Sequence, residues 1–265
     1  MLLLMMTTAF ASVDPACEGV TQKLDDQGQQ DFLMNYFALA TTASPLHAPI
    51  PSEAGTGSIG VEILGIPPLS CEQRLVLNST KTEDTNKAPI APRPRMTFSF
   101  PELGPVTLYG GAGYVPPVTL FGTRNVIVSG ELGAGMTVAD KHQVGLRGHA
   151  TLMKTVAEIA TPFVDGDPAY DDFYSGSTFG VDAMYGLATD KVTPYAAVGF
   201  TDVSTFFVIG DDAYLAVNEQ PYFGLTASVG AQARVMDKLD LAGEFYTAPG
   251  YIYTGRLRVA YVLGG

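Results

Sequence analysis

Val126-Ile-Val-Ser-Gly-Glu131-Leu-Gly-Ala-Gly-Met136-Thr-Val138-Ala-Asp140-Lys141-His-Gln-Val144-Gly-Leu-Arg147-Gly-His149-Ala-Thr-Leu152 decides the fold. Val126, Val128, Leu132, Ala134, Met136 and Val138 share one face, with Ser129, Glu131, Gly133, Gly135 and Thr137 on the other. After Asp140-Lys141 the alternation resumes, with Val144, Leu146, Ala150 and Leu152 opposed to Gln143, Arg147, His149 and Thr151. This is the period of two that marks a strand with two unlike faces. The turn recurs as Ala188-Thr-Asp190-Lys191 and Val235-Met-Asp237-Lys238, its aspartates 50 and 47 residues apart, with a longer loop between each pair. Short turn, long loop, short turn is the rhythm of an up-and-down transmembrane β-barrel.

Working outward, the same pattern gives strands at Gly57–Gly65, Arg95–Phe100, Val106–Tyr114, about 178–187, about 192–206, about 222–234, 239–247 and 251–263. With the two above, ten antiparallel strands are expected; eight and twelve are the alternatives at the N-terminal end. Several exceed the ~9–11 residues that cross a bilayer when tilted, and a sandwich would favour strands of ~5–6 residues. The chain is 46% hydrophobic and 16% charged, with 29 glycines, no tryptophan and a net charge of -12. The acidity excludes an ordinary nucleic-acid surface.

The N-terminal quarter differs. Met1 to Ala11 is an apolar run ending in Ala9-Phe-Ala11, which reads as a secretory signal peptide with Ser12 the first mature residue. Residues 12–56 form a separate segment before the barrel, 57–265. In it Phe32, Leu33, Tyr36, Phe37 and Leu39 recur at helical spacing from Asp31 to Ala40, followed by a proline-containing linker, Pro45 to Pro51. This helix and linker are expected to cap or plug the barrel at its tight-turn end. Cys17 and Cys71 are the two cysteines, compatible with one disulfide or with a free pair. Ten strands put Cys17 at the tight-turn end and Cys71 in the first long loop. A bond between them therefore requires the N-terminal segment to thread the lumen, or the first strands to be miscounted.

Alternation also places the charges. Glu62, Glu131, Asp182, Asp240 and Glu244, and Arg95, Arg147, Arg234, Arg256 and Arg258, fall on the polar face, as does His149. On a lipid face near mid-bilayer each Arg would cost ~2–4 kcal/mol. These residues are read as an ion-pair network filling a narrow lumen, with Glu244 between Arg234 and Arg256. Outside the strands, Asp165, Asp167, Asp171 and Asp172, with Asp211 and Asp212, make the long loops acidic. Asp165 to Asp172 is a weak metal candidate whose spacing matches no EF-hand. Phe163, Tyr170, Phe173, Tyr174, Phe206, Phe207, Tyr214 and Tyr251 are placed at the loop-end rim as an aromatic girdle.

From Gly57 onward, in its alternation, short turns and long loops, the chain resembles bacterial outer-membrane β-barrel proteins of the small OmpA-like and OmpW-like kind. The resemblance implies an outer-membrane location, tight turns in the periplasm and long loops outside. It implies outer-membrane lipid, lipopolysaccharide and the barrel-assembly machinery as partners, a monomer, and no cofactor or nucleic acid. Such barrels usually end in an aromatic residue, whereas this chain ends Tyr261-Val-Leu-Gly-Gly265. The expected function is structural or ligand-binding through the loops; a narrow channel or carrier for small or apolar solutes is the alternative. Outer-membrane lipid hydrolases place a His–Ser pair where lipid can reach it. Here His149 points inward, His142 adjoins a tight turn and His47 precedes the barrel, so no enzyme is expected.

Overall fold

The computed structural model describes residues 13–83, 89–101, 104–120, 123–159, 168, 170–210 and 213–264. Ten strands close into one antiparallel barrel: β1 Gly57–Gly65, β2 Ile90–Ser99, β3 Val106–Leu120, β4 Thr123–Val138, β5 His142–Ala157, β6 Asp172–Leu187, β7 Val192–Ile209, β8 Phe223–Met236, β9 Leu239–Ala248 and β10 Ile252–Leu263. Each strand pairs with the next, and β10 returns to β1 from Gly57↔Leu263 to Leu64↔Arg256. Tyr214–Val217 extends the sheet briefly beside the end of β7, and Leu75–Val76 pairs with Lys81–Thr82 outside the barrel. The expected ten-strand architecture is present.

The two faces meet different surroundings. Ile59, Val61 and Ile63 of β1 are 54%, 44% and 40% exposed, while Ser58, Glu62 and Leu64 between them are buried. Leu132, Leu146, Phe179, Phe200, Phe223 and Leu257 continue the exposed apolar belt around the barrel. A belt of this extent is not a water-facing surface. The aromatic assignments need correction. Tyr174 and Phe207 point inward and are buried, and Tyr251 stacks on Phe32, while Phe206 and Tyr214 do face outward. Phe163 lies outside the described residues.

The three Asp-Lys turns differ in backbone. Ala139 and Asp140 take left-handed φ values of 50° and 61°, a conformation Asp tolerates better than most residues. The third turn joins Met236 to Leu239 across two residues.

One seam interrupts the wall. β2 and β3 pair from Arg95↔Gly113 to Ser99↔Tyr109, five positions, whereas β5 and β6 pair over sixteen. Above Arg95, β2 remains paired with β1 alone. The strand reaches back to Ile90, before the expected start at Arg95, through the extended stretch that contains Pro92 and Pro94. A strand with one free edge accommodates prolines.

Helix α1 spans Asp26–Thr41, starting earlier than Asp31 because Asp25 caps it, its side chain accepting from Gly28 N at 2.8 Å. Its position reverses the expectation. Phe32, Tyr36 and Leu39 pack on Val203, Tyr222, Tyr246 and Ile252, and Met34 on Ile127, Met153, Tyr174 and Phe207. These wall residues belong to the long-loop end, so the helix stands in that mouth and not at the tight turns. Residues 42–56 then descend the lumen to the start of β1. Cys17 and Cys71 form a disulfide at the loop end, which resolves the conflict in favour of a threaded N-terminal segment. The leader Met1–Ala11 lies outside the described residues.

Candidate functional site

The lumen is built around the backbone of the thread. Where α1 ends, its last carbonyls lack helical partners. Arginines of the wall supply them. Arg256 donates to the carbonyls of Ala40 and Thr42, Arg93 to Thr41 (2.9 Å), Arg147 to Ala43 (3.0 Å), and Arg95 to Ser44 and Pro45 (2.9 and 2.7 Å). Six consecutive carbonyls, Ala40 to Pro45, are thus held by four guanidiniums. Cations at a helix C-terminus also complement its dipole.

Carboxylates hold those guanidiniums from the wall. Glu62 takes Arg93 in a two-pronged contact (2.8 and 3.1 Å) and lies 3.4 Å from Arg95 and 3.9 Å from Arg256. Glu131 accepts from Arg95 at 2.7 Å and Arg147 at 2.6 Å, and Arg147 reaches Asp182 at 2.7 Å. Forked Arg–carboxylate contacts combine charge with fixed geometry. All these side chains are almost fully buried, where each depends on its partners.

The rest of the thread is held in the same manner. Ala43 N donates to Thr151 Oγ1, Leu46 N to Glu244 Oε2, and Ala48 N to Gln232 Oε1, whose amide nitrogen donates to Pro51 O. His47 contacts Glu131 at 3.4 Å and packs edge-on against Tyr109. Pro49 sits in a recess made by absent side chains. A Cβ on Gly135 would lie 2.3 Å from the Pro49 oxygen, and one on Gly186 would lie 2.8 Å from its Cδ.

The predicted residues separate into groups. Glu62, Arg95, Glu131, Arg147 and Asp182 form one cluster, with Arg256 at its edge. His149 lies 3.5 Å from Asp182. Arg234 and Asp240 pair with each other near the tight-turn mouth, where Arg234 is partly exposed. Glu244 faces Arg256 in register, yet its Oε2 is occupied by Leu46 N and the Tyr195 hydroxyl (3.0 Å). Arg258 is buried, with Nε and Nη2 lacking a hydrogen-bond partner. Arg93 was missed, hidden between Pro92 and Pro94. An alternation started two residues earlier would have put it inward beside Arg95.

At the loop end, Asp172 is a clasp, accepting from Ile159 N at 2.8 Å and Gly210 N at 2.7 Å. Asp171 is exposed, and Asp165, Asp167, Asp211 and Asp212 lie outside the described residues. Among the described residues no group of three or more His, Cys, Asp or Glu is arranged to hold a metal ion.

Cavities flank the thread at both ends. One of about 270 Å³ separates α1 from the wall at the loop end, lined by Leu33, Met34, Phe37, Ile127, Met153 and Phe207 among others. The second, about 620 Å³, is a polar vestibule at the tight-turn end between Ile50–Ala54, Gln143, Thr193, Gln232 and Asp240.

No family model and no curated protein matches the chain. Solved structures of outer-membrane barrels resemble it loosely. The translocator domain of the autotransporter NalP from Neisseria meningitidis aligns at 9% identity and TM-score 0.46, over 81% of this chain and 90% of that one. The toluene transporter TodX of Pseudomonas putida gives 11%, 0.37, 88% and 76%, and Ail of Yersinia pestis 9%, 0.36, 79% and 99%. Likenesses of this strength carry no functional information.

Proposed function

We propose that this protein is a bacterial outer-membrane β-barrel closed by its own N-terminal segment, which acts as a non-enzymatic binding or structural element at the cell surface. One observation carries the reading: four buried arginines hold six consecutive carbonyls, from the end of α1 into the thread, inside the lumen. A lumen filled in this way is a support and not a conduit. The exposed apolar belt favours a bilayer, and chains that span membranes as strands must close into barrels.

In this reading the loop end faces outward and presents α1, the disulfide-linked segments around Cys17 and Cys71, and the acidic loops. Lipid and lipopolysaccharide surround the barrel, the barrel-assembly machinery inserts it, and it works as a monomer. A non-enzymatic role is supported by what the inward polar groups already do. Glu131 is committed to two arginines, and His149 lies against Asp182. The polar vestibule favours, as a second reading, a channel that opens when the thread leaves.

Surface labelling tests the orientation. Tyr214→Cys lies in the exposed short strand at the loop end, and Asp190→Cys in an exposed tight turn. On intact cells a membrane-impermeant maleimide should label the first, and the second only after the outer membrane is broken. The reverse pattern would overturn the proposal.

A further inference from the structure

The seam between β2 and β3 and the apolar cavity behind it belong together. The hydrogen-bond pattern shows which way each residue of β2 points. Ser99 N donates to Thr56 O at 2.9 Å, and Ile66 N to Pro89 O at 2.8 Å, so odd-numbered residues of β2 exchange bonds with β1. Phe100 N donates to Leu108 O at 2.8 Å, so even-numbered residues of both strands face each other. Continuing the register past Arg95↔Gly113 would set Pro94 opposite Tyr114 and Pro92 opposite Pro116. Three of those four positions have no N–H. Pro116 and Pro117 also fall at the irregularity between β3 and β4, where pairing shifts between Val115 and Val118. The seam is therefore written in the sequence: its edges lack the donors that would zip it.

Behind it lies the 270 Å³ cavity, whose lining includes Ala91 of β2 and Thr123 and Asn125 of β4, on either side of the seam. Most of the lining is apolar, although it includes the carboxylates of Asp26, Glu83 and Glu158, and several of its polar groups are bonded within the protein. Thr155 Oγ1 donates to Asn125, whose amide donates to Thr123; Gln30 donates to Val217 O; Asp26 accepts from Gln22 Nε2 and Asn78 N. The cavity is nearly twice the ~150 Å³ of an apolar site that holds benzene.

We infer that this cavity is a binding site for a hydrocarbon moiety, about the size of two six-membered rings or a matching length of alkyl chain, which enters sideways from the membrane through the proline-edged seam. Two sources share that chemistry, a free apolar molecule and the acyl chain of a surrounding lipid. The inference deepens the proposed surface-binding role by naming the class of ligand.

Methionine methyl NMR in lipid nanodiscs tests it, because Met34 and Met153 line the cavity while Met96 lies on the outer face, 57% exposed. Naphthalene should shift the Met34 and Met153 signals saturably and Met96 only by gradual drift. Phosphatidylcholine carrying a nitroxide on its acyl chain should broaden Met96 alone if the ligand is a free molecule. It should also broaden Met34 and Met153 if the occupant is a lipid chain. Pro92→Thr with Pro94→Thr adds two donors facing β3 and should slow the naphthalene response about tenfold, with an unchanged Met96 signal reporting an intact fold. Failure of both probes to reach Met34 and Met153, or an unaltered rate in the proline variant, would overturn the inference. Reversed labelling of Tyr214→Cys and Asp190→Cys would overturn the cell-surface reading and leave these signals as they are.

Discussion

At the scale of single residues, burial alone does not tell which charges matter. Arg147 and Arg258 are both about 1–2% exposed. Arg147 joins Glu131, Asp182 and the Ala43 carbonyl, whereas two nitrogens of Arg258 have no hydrogen-bond partner. Removing one member of a satisfied buried network leaves the others uncompensated, so Arg147→Met should cost about 3–5 kcal/mol in denaturant unfolding. Arg258→Met should be close to neutral, because an apolar side chain of similar volume often replaces a poorly paired buried charge without loss. Equal penalties would show that the hydrogen-bond pattern is not what holds the lumen. Alternation was enough to aim these side chains inward. It was not enough to find their partners: a period of two reports which face a residue takes, while the thread's carbonyls arrive from a segment with no strand pattern. Arg93 escaped because flanking prolines hide a strand that has only one paired edge.

At the scale of elements, the thread and the disulfide-linked segments act as one insert. Asp14 accepts from Ala16 N and from Arg74, and Asp26 from Gln22 and Asn78 N. The backbone amide of Ala16 first, then Arg74, holds the Asp14 carboxyl below the usual carboxylate range; Gln22, then Asn78, does the same for Asp26. A depressed acid stabilises the fold above its unfolded pKa, near 3.8, and that contribution disappears as pH falls through the lower folded value. Protection of the Asn78 amide against hydrogen exchange should therefore hold at pH 5 and fall below about pH 3.8, while amides in β5 and β6 stay protected. Loss of both together would contradict a separately docked cap. The Cys17–Cys71 bond closes a span of 54 residues, which by the chain-entropy account is worth roughly 4 kcal/mol. Reduction should accordingly lower the unfolding midpoint, measurably so in a titration with and without dithiothreitol. Gly135→Ala should also loosen the thread, since its Cβ would meet the Pro49 carbonyl at 2.3 Å; faster proteolysis between residues 42 and 56 would show it. The helix itself was legible at Phe32 to Leu39, but its place was not. Helical spacing says nothing about which mouth an element occupies, and the disulfide was the one clue that set the two topologies against each other.

At the scale of the whole molecule, a ten-strand wall, an apolar belt and a gripped central thread describe a barrel that is structurally complete only with its N-terminal segment inside. Strand number and the inward set were readable because lipid-facing and lumen-facing residues must alternate along every strand. The closed lumen was readable only in part, since filling by side chains and filling by a threaded backbone leave the same pattern on the wall. These two kinds of filling differ in what the wall would do if the thread were withdrawn, but on the proposed reading both leave the intact molecule without a conducting path. Conductance of the purified, disulfide-bonded protein in a planar lipid bilayer tests this most directly. Insertion without steady current is the predicted result, and uniform, long-lived single-channel openings from the oxidised protein would contradict it.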